Sequence, residues 1–255
     1  MNTAKLLSVG EHAHYPFKSY PNTTCETVLF PGCAVPSQFP RTTDALALRC
    51  RQAGFGVVYD CCGSPVEGYG EHKSAQRLLR GLVKRLERIG CKRLVLMCPS
   101  CTEQLEGKVP FELVSVFDIL DELGLEGAGS FDEGKLFIPC PDRRCHAMEN
   151  SLRASCNLSK VETMSSAPCC GLKPENASRG SAYSSKLGKT AINRADGQMI
   201  YSYCASCLGQ FSRLGYKNCR LAISVVLGID EEPNSGKALL NRARRTFDRN
   251  TNPLT

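Results

Sequence analysis

The chain has 255 residues, 42% of them hydrophobic and 22% charged, with a net charge of +7. That composition excludes a wholly disordered chain and allows one large domain or two of about 100–150 residues. Acidic residues are interleaved with the basic ones and no long basic run occurs, which argues against nucleic-acid binding.

No stretch reaches the ~18 apolar residues of a membrane span. The first twenty residues, MNTAKLLSVGEHAHYPFKSY, lack an apolar signal core. The expected location is therefore the cytoplasm. Sixteen cysteines in such a chain point to metal ligation or redox chemistry rather than disulfides. Residues 1–25 read as an extension, with His12 and His14 placed in a flexible tail and metal binding as the alternative for them.

Predicted elements then alternate. TVLF (27–30) reads as a strand leading through Pro31-Gly32 to Cys33. TTDALALRCRQAG reads as a helix with Thr42 or Thr43 as N-cap and Gly54 as its stop. FGVVYD leads to Cys61-Cys62-Gly63. Residues 71–90 place Leu78, Leu79, Leu82, Val83, Leu86 and Ile89 on one helical face, with Gly90 as C-cap. The opposite face carries Lys73, Arg77, Arg80, Lys84, Arg85 and Arg88, a solvated face or a docking surface for an acidic protein. RLVLM leads to Cys98-x-x-Cys101, and FELVSVFDIL closes this half as a fourth strand-like run.

After a Gly-rich joint, EGAGSFDEGK, the order returns. KLFIP leads to Cys140, the weak run KVETMSSAP to Cys169-Cys170-Gly171, and MIYSY to Cys204-x-x-Cys207. RLAISVVLGI closes the second half, and helical patterns fill 143–155 and about 181–195. The last segment, 230–255, carries a helical pattern with Leu239, Leu240, Ala243 and Phe247 on one face.

The cysteines repeat. Matching positions in the two sets differ by 107, 108 and 106 residues, with 27 then 35 residues between motifs in the first half and 28 then 33 in the second. The first repeat spans 26–127 and the second 128–229. Strand–helix alternation predicts an α/β fold: two tandem homologous repeats, each a small, Rossmann-like parallel sheet flanked by helices, with the cysteines at the C-terminal strand ends.

Each motif has a physical role. Cys-x-x-Cys aims two sulfurs at one metal from one turn, here at a helix start where backbone N–H groups favour thiolate. Cys-Cys-Gly brings adjacent side chains to one site only if the chain turns, and Gly63 and Gly171 supply the backbone freedom and room for a bulky inorganic core. Five thiolates exceed the four of a tetrahedral zinc site or a cubane cluster. Zinc in one or both halves, or buried structural thiols, are the competing readings. Cys25, Cys50, Cys91, Cys145, Cys156 and Cys219 have no mate; Cys50 reads as core packing, and Cys145, close to Cys140, as a candidate extra ligand. Arg143 or Arg144 could balance charge beside Cys140, or form a helix N-terminal turn.

FPGC, DCCG, CPSC, PCPDRR, PCCG and YCASC together resemble the cysteine-rich CCG domain, over about residues 26–228. That domain defines the catalytic subunit of heterodisulfide reductases and recurs in electron-transfer subunits of anaerobic dehydrogenase and oxidation systems. The resemblance implies two noncubane [4Fe-4S] clusters that cleave a disulfide by successive one-electron steps. Cys33, Cys61, Cys62, Cys98 and Cys101 would hold one; Cys140, Cys169, Cys170, Cys204 and Cys207 the other. Non-catalytic electron relay is the alternative role within the family. The chain lacks a Cys-x-x-Cys-x-x-Cys-x-x-x-Cys-Pro motif. Electrons would thus come from a ferredoxin-like or flavin-containing partner subunit.

Overall fold

Most of the strand-like runs are short and largely apolar, which suits the strands of a buried parallel sheet. The computed structural model, which describes residues 3–246, bears this out. Helix α1 (Thr3–Ala13) precedes the first repeat. That repeat runs β1 (Thr27–Phe30), α2 (Ala34–Gln38), α3 (Pro40–Gln52), β2 (Gly56–Val57), α4 (Ser64–Gly68), α5 (His72–Arg88), β3 (Arg93–Leu96), α6 (Pro99–Leu105) and β4 (Glu112–Ser115). The second runs β5 (Gly134–Leu136), α7 (Ala147–Ser155), β6 (Val161–Thr163), α8 (Pro174–Ala177), α9 (Ser181–Asn193), β7 (Met199–Ser202), α10 (Ala205–Arg213), β8 (Cys219–Leu221) and α11 (Ala222–Val226). Helix α12 (Ala238–Thr246) ends the described chain.

The sheets have the same order, β2-β1-β3-β4 and β6-β5-β7-β8, and every pairing within them is parallel. The order reverses direction between β1 and β3, and between β5 and β7, which opens a crevice at the carboxyl end of each sheet. Val28 pairs with Leu94 and Leu29 with Val95. Alternation then sends Val28, Phe30, Leu94 and Leu96 to one face, where Leu82, Leu86 and Ile89 of α5 cover them. Leu29, Val57 and Val95 point the other way, into a core continuous with Phe137, Tyr203 and Phe211 of the second repeat. The Phe117 and Tyr203 rings meet edge to face across this seam, 6.5 Å apart.

The joining surface has the logic of a two-fold dimer. Helix α2 of the first repeat packs on α10 of the second, and the turn that corresponds to α2, the 3₁₀ segment Cys140–Asp142, packs on α6, the counterpart of α10. Gly209 lets α2 come close: a Cβ there would lie 2.7 Å from Gln38 Oε1. Among the described residues no helix is long and apolar enough to cross a membrane.

Several elements depart from the sequence reading. Helix α3 starts earlier than Thr42, with Phe39 at its N-cap and Pro40 in its first turn, where a fixed φ and a missing N–H cost nothing. Thr43 is inside the helix and donates to the Phe39 carbonyl, while Thr42 donates to Glu231 from beyond the second repeat. Gly54 does stop the helix, at φ +80°. FGVVYD pairs within the sheet only at Gly56–Val57; Tyr59 instead bridges antiparallel to Ser19. Each fourth run is strand only for its first part. Ser115 breaks the first with a capping box to Asp118, and a 3₁₀ turn (Val116–Ile119) follows; the second turns into α11.

The tail helix is present with the opposite face inward. Leu239 and Leu240 are 60% and 58% exposed, whereas Asn241, Arg242 and Arg245 are buried. Phe247 lies outside the described residues. The inward residues have specific partners: Asn241 donates to the Ser37 carbonyl, Arg242 pairs with Glu11, and Arg245 with Asp44.

Candidate metal centres

All ten repeated cysteines stand just past the carboxyl end of a strand. Cys33, Cys61-Cys62 and Cys98 follow β1, β2 and β3, and Cys140, Cys169-Cys170 and Cys204 follow β5, β6 and β7. Cys98 and Cys204 are the N-cap residues of α6 and α10, so Cys101 and Cys207 lie in the first turn of each helix. The structure brings each set of five together. In the first, the thiols form a hydrogen-bonded chain, Cys33–Cys61–Cys62–Cys101–Cys98. In the second the chain is Cys140–Cys169–Cys170–Cys207–Cys204, the same order under the repeat.

Proton sharing along these chains splits the thiols. Cys62 is held down to about 6 by the bonds it receives from Cys101 and Cys61. Cys98 is lowered by its bond from Cys101, with help from the N–H groups of Ser100 and Cys101 at the helix start. Cys204 is lowered in the same way by Cys207 and the N–H groups of Cys207 and Ser206. Cys169 is lowered by Cys140 and Cys170. Others go up: Cys33 through its contact with Cys61, Cys101 through Cys62 and Cys98, Cys140 through Cys169, and Cys207 through Cys170 and Cys204. Thiols interacting neighbour to neighbour in this way cannot all ionise against one another. A cation of high charge resolves that repulsion, because metal ligation requires the thiolate.

The Cys-Cys-Gly turns work through the glycine backbone. Gly63 and Gly171 hold φ of +87° and +97°, and their N–H groups donate to Cys61 Sγ at 3.4 Å and Cys169 Sγ at 3.3 Å. Their missing side chains, however, face helices rather than the cage: a Cβ on Gly171 would sit 2.2 Å from the Ser184 carbonyl of α9, and one on Gly63 3.5 Å from the Ala75 carbonyl of α5. The glycine that spares room beside sulfur is Gly32, where a Cβ would lie 2.9 Å from Cys101 Sγ.

The two sets open on one cavity of about 700 Å³, lined from both sides by Cys33, Cys62, Cys98, Cys140, Cys170 and Cys204 among others. Lys173, Arg213 and Arg242 line the same space. The pseudo-two-fold seam described above thus places both carboxyl-end crevices face to face.

Three groups beside the sulfurs complete the site. Asp60, 1% exposed, accepts from the Cys61 N–H at 2.7 Å, the Tyr20 hydroxyl at 2.5 Å and Arg85 Nη2 at 2.7 Å, and so fixes the first Cys-Cys turn. Arg85 therefore leaves the solvated face assigned to it, while Lys73, Arg77, Arg80, Lys84 and Arg88 remain exposed. In the second repeat Arg143 does the equivalent work, donating to the Ile138 and Pro168 carbonyls and tying the Cys140 turn to the Cys169 loop; Arg144 is exposed. The third is His12. It is no tail residue: α1 buries it, with Nδ1 at 3.4 Å from Cys61 Sγ. The Cys33 and Glu11 charges raise its pKa against the opposing effect of burial. His14 is exposed.

The unmated cysteines stay apart from the cages. Cys50 is fully buried in the central core, where burial pushes its thiol up to about 12. Cys145 is exposed, with Asp142 as its partner, and does not join the second chain of thiols.

Clustered cysteines of this kind indicate metal binding. A search of curated proteins finds no match. The family model described as a cysteine-rich domain (CCG) matches twice, over residues 27–106 and 135–212, each match covering the first three strands of one sheet and its five cysteines. The chain belongs to the cysteine-rich CCG domain family and carries two copies of that domain.

Proposed function

We propose that the protein is an iron–sulfur oxidoreductase subunit, similar to the catalytic subunit of heterodisulfide reductases, that reduces a disulfide or a similar two-electron acceptor. Cys33, Cys61, Cys62, Cys98 and Cys101 would hold one [4Fe-4S] centre, and Cys140, Cys169, Cys170, Cys204 and Cys207 the second. The observation that carries this is the pair of five-thiol chains of identical order opening on a single cavity. One tetrahedral ion takes four ligands, so five thiols in a row suit a larger body. When bound, such centres supply electrons one at a time.

The chain's own residues do the rest. The backbone N–H groups of Gly63 and Gly171 and of the α6 and α10 starts donate to sulfur and offset its negative charge. The cavity walls come from both repeats, so a substrate lodged there touches both centres. Lys173 and Arg213 suit an anionic end on that substrate. Electrons would arrive from a ferredoxin-like or flavin-containing partner, and the exposed cations of α5 offer an acidic partner a surface.

The experiment is anaerobic purification with iron, sulfide and zinc quantified on one sample, followed by EPR. About eight irons per chain is the expectation from two four-iron sites. Reduced protein is then mixed with small disulfides and re-oxidation of the centres followed. Stoichiometric zinc with almost no iron would sink the cluster reading. Re-oxidation by a partner protein but by no disulfide would leave an electron relay instead.

A further inference from the structure

Among the described residues, one group of three ligand atoms lies mutually within 4.8 Å, and it is not made of cysteines alone: it is His12 Nδ1 with the sulfurs of Cys33 and Cys61. Its spacing is informative. A tetrahedral metal with metal–nitrogen and metal–sulfur bonds of about 2.0 and 2.3 Å separates nitrogen from sulfur by about 3.5 Å and two sulfurs by about 3.8 Å. Here Nδ1 to Cys61 Sγ is 3.4 Å and Cys61 Sγ to Cys33 Sγ is 4.0 Å. The two separations that meet at Cys61 thus match edges of one tetrahedron, and the third ligand pair lies within 4.8 Å.

The ring is held in place by more than its burial. Tyr15 lies parallel to it, with an interplanar angle of 1° and centroids 5.9 Å apart. Glu11, the neighbouring residue, pairs with Arg242 of α12, whose guanidinium also lies 5.6 Å from the Phe17 ring centre. Lys5 anchors the start of α1 to Glu71 at 2.7 Å. His12 and Cys33 both line the shared cavity, so the place where the three ligand atoms meet borders it.

We propose that His12 is a further protein ligand of the first centre, binding through Nδ1 the metal it shares with Cys33 and Cys61. This makes the two centres chemically unequal, and it rests on the reading of the first cysteine set as a metal centre. An imidazole on one centre and not on the other sets their reduction potentials apart, because ligation tunes a cluster's potential.

The test compares full-length wild type, His12→Ala and, as a control on an exposed residue, His14→Ala, all purified anaerobically with metals quantified. Pulsed EPR is recorded on oxidised and reduced protein carrying ¹⁵N-labelled histidine. The wild type and His14→Ala should show a directly bound nitrogen coupling. His12→Ala should lose it, and added imidazole should restore it, which a merely structural role for His12 would not allow. The potential of one of the two centres should shift in His12→Ala while the other holds. Absence of nitrogen coupling in wild type, or a His12→Ala spectrum that superimposes on it, overturns the assignment. If the protein holds zinc, the iron–sulfur reading fails by itself, and His12 is judged by zinc-edge absorption: one nitrogen scatterer at about 2.0 Å that His12→Ala loses supports it, and an all-sulfur shell overturns it. A chain that takes up neither iron and sulfide nor zinc overturns both.

Discussion

Arg85→Ala tests whether the first cysteine turn is held by a buried ion pair. Asp60 is 1% exposed and lies directly before Cys61 in the chain. Two of its hydrogen bonds come from Arg85, Nη2 at 2.7 Å and Nε at 3.2 Å, and Arg85 also lends Nε to the Tyr20 hydroxyl at 3.0 Å. Removing the guanidinium leaves a carboxylate in the interior with one hydroxyl and one backbone N–H. Breaking one side of such a pair costs about 3–5 kcal/mol, and the remaining Tyr20 and Cys61 donors put the expectation near 3 kcal/mol. Domains of this kind are stable by about 5–15 kcal/mol, so the loss shifts the folding equilibrium more than a hundredfold. Urea denaturation of the metal-free chain reads it directly. The exposed neighbour Arg88→Ala should change stability by no more than about 0.5 kcal/mol. In metal-loaded protein, Arg85→Ala should deplete the first centre before the second, since Arg143 holds the other loop independently. A loss below about 1 kcal/mol, or equal depletion of both centres, would refute the reasoning.

Gly171→Ala should cost about 3 kcal/mol or more, because left-handed strain of about 1–2 kcal/mol adds to a Cβ placed 2.2 Å from a backbone carbonyl, whereas Gly63→Ala, with 3.5 Å of room, should cost the strain alone. Both are checked by chemical denaturation. Cys62→Ser should lower metal content at the first centre and leave the second; Cys50→Ser, a change in the core away from the sulfur chains, should leave metal at both. Asn241→Ala should destabilise the protein by about 1–3 kcal/mol by stranding the buried Ser37 carbonyl, while Leu240→Ser on the exposed face of the same helix should fall within about 0.5 kcal/mol, both read by thermal melts.

What the sequence revealed and what it hid divide by how far a partner lies along the chain. The strand runs, α5 and the Cys-x-x-Cys helix starts depend on residues within a turn or a few positions, so periodicity and capping chemistry found them. The repeat spacing then placed both cages at strand ends without knowledge of any contact. The misreadings at the seam and around the site involve distant partners. Thr42 looked like a cap because its acceptor, Glu231, is 189 residues away. Helix α12 was turned about because its polar residues answer Ser37, Asp44 and Glu11, which offset the ordinary preference for burying leucine. His12 carried no local signal, since what buries it is Tyr15 packing and a pair between Glu11 and Arg242 at opposite ends of the chain. Asp60 was the exception that could have been seen: a carboxylate between a buried strand and two cysteines needs a cation, and α5 offers six.

A two-fold pairing of like repeats produces two like sites. The seam does this here, with α2 on α10 and the turn at Cys140 on α6, so both sulfur chains meet the same cavity from opposite sides. What distinguishes the sites comes from outside the matched domains. Helix α1 and the helix that clamps it, α12, lie beyond residues 27–106 and 135–212, and both bear on the first site. Cys61 is 1% exposed under His12, whereas its counterpart Cys169 is only partly buried. On the proposed reading the open second site is where an electron donor approaches, and the covered first site differs from it in solvent access and in an added imidazole, both of which tune a centre's potential. A reaction that needs two electrons delivered singly gains direction from that inequality. The duplication supplies the number of centres, and the terminal helices supply the difference between them.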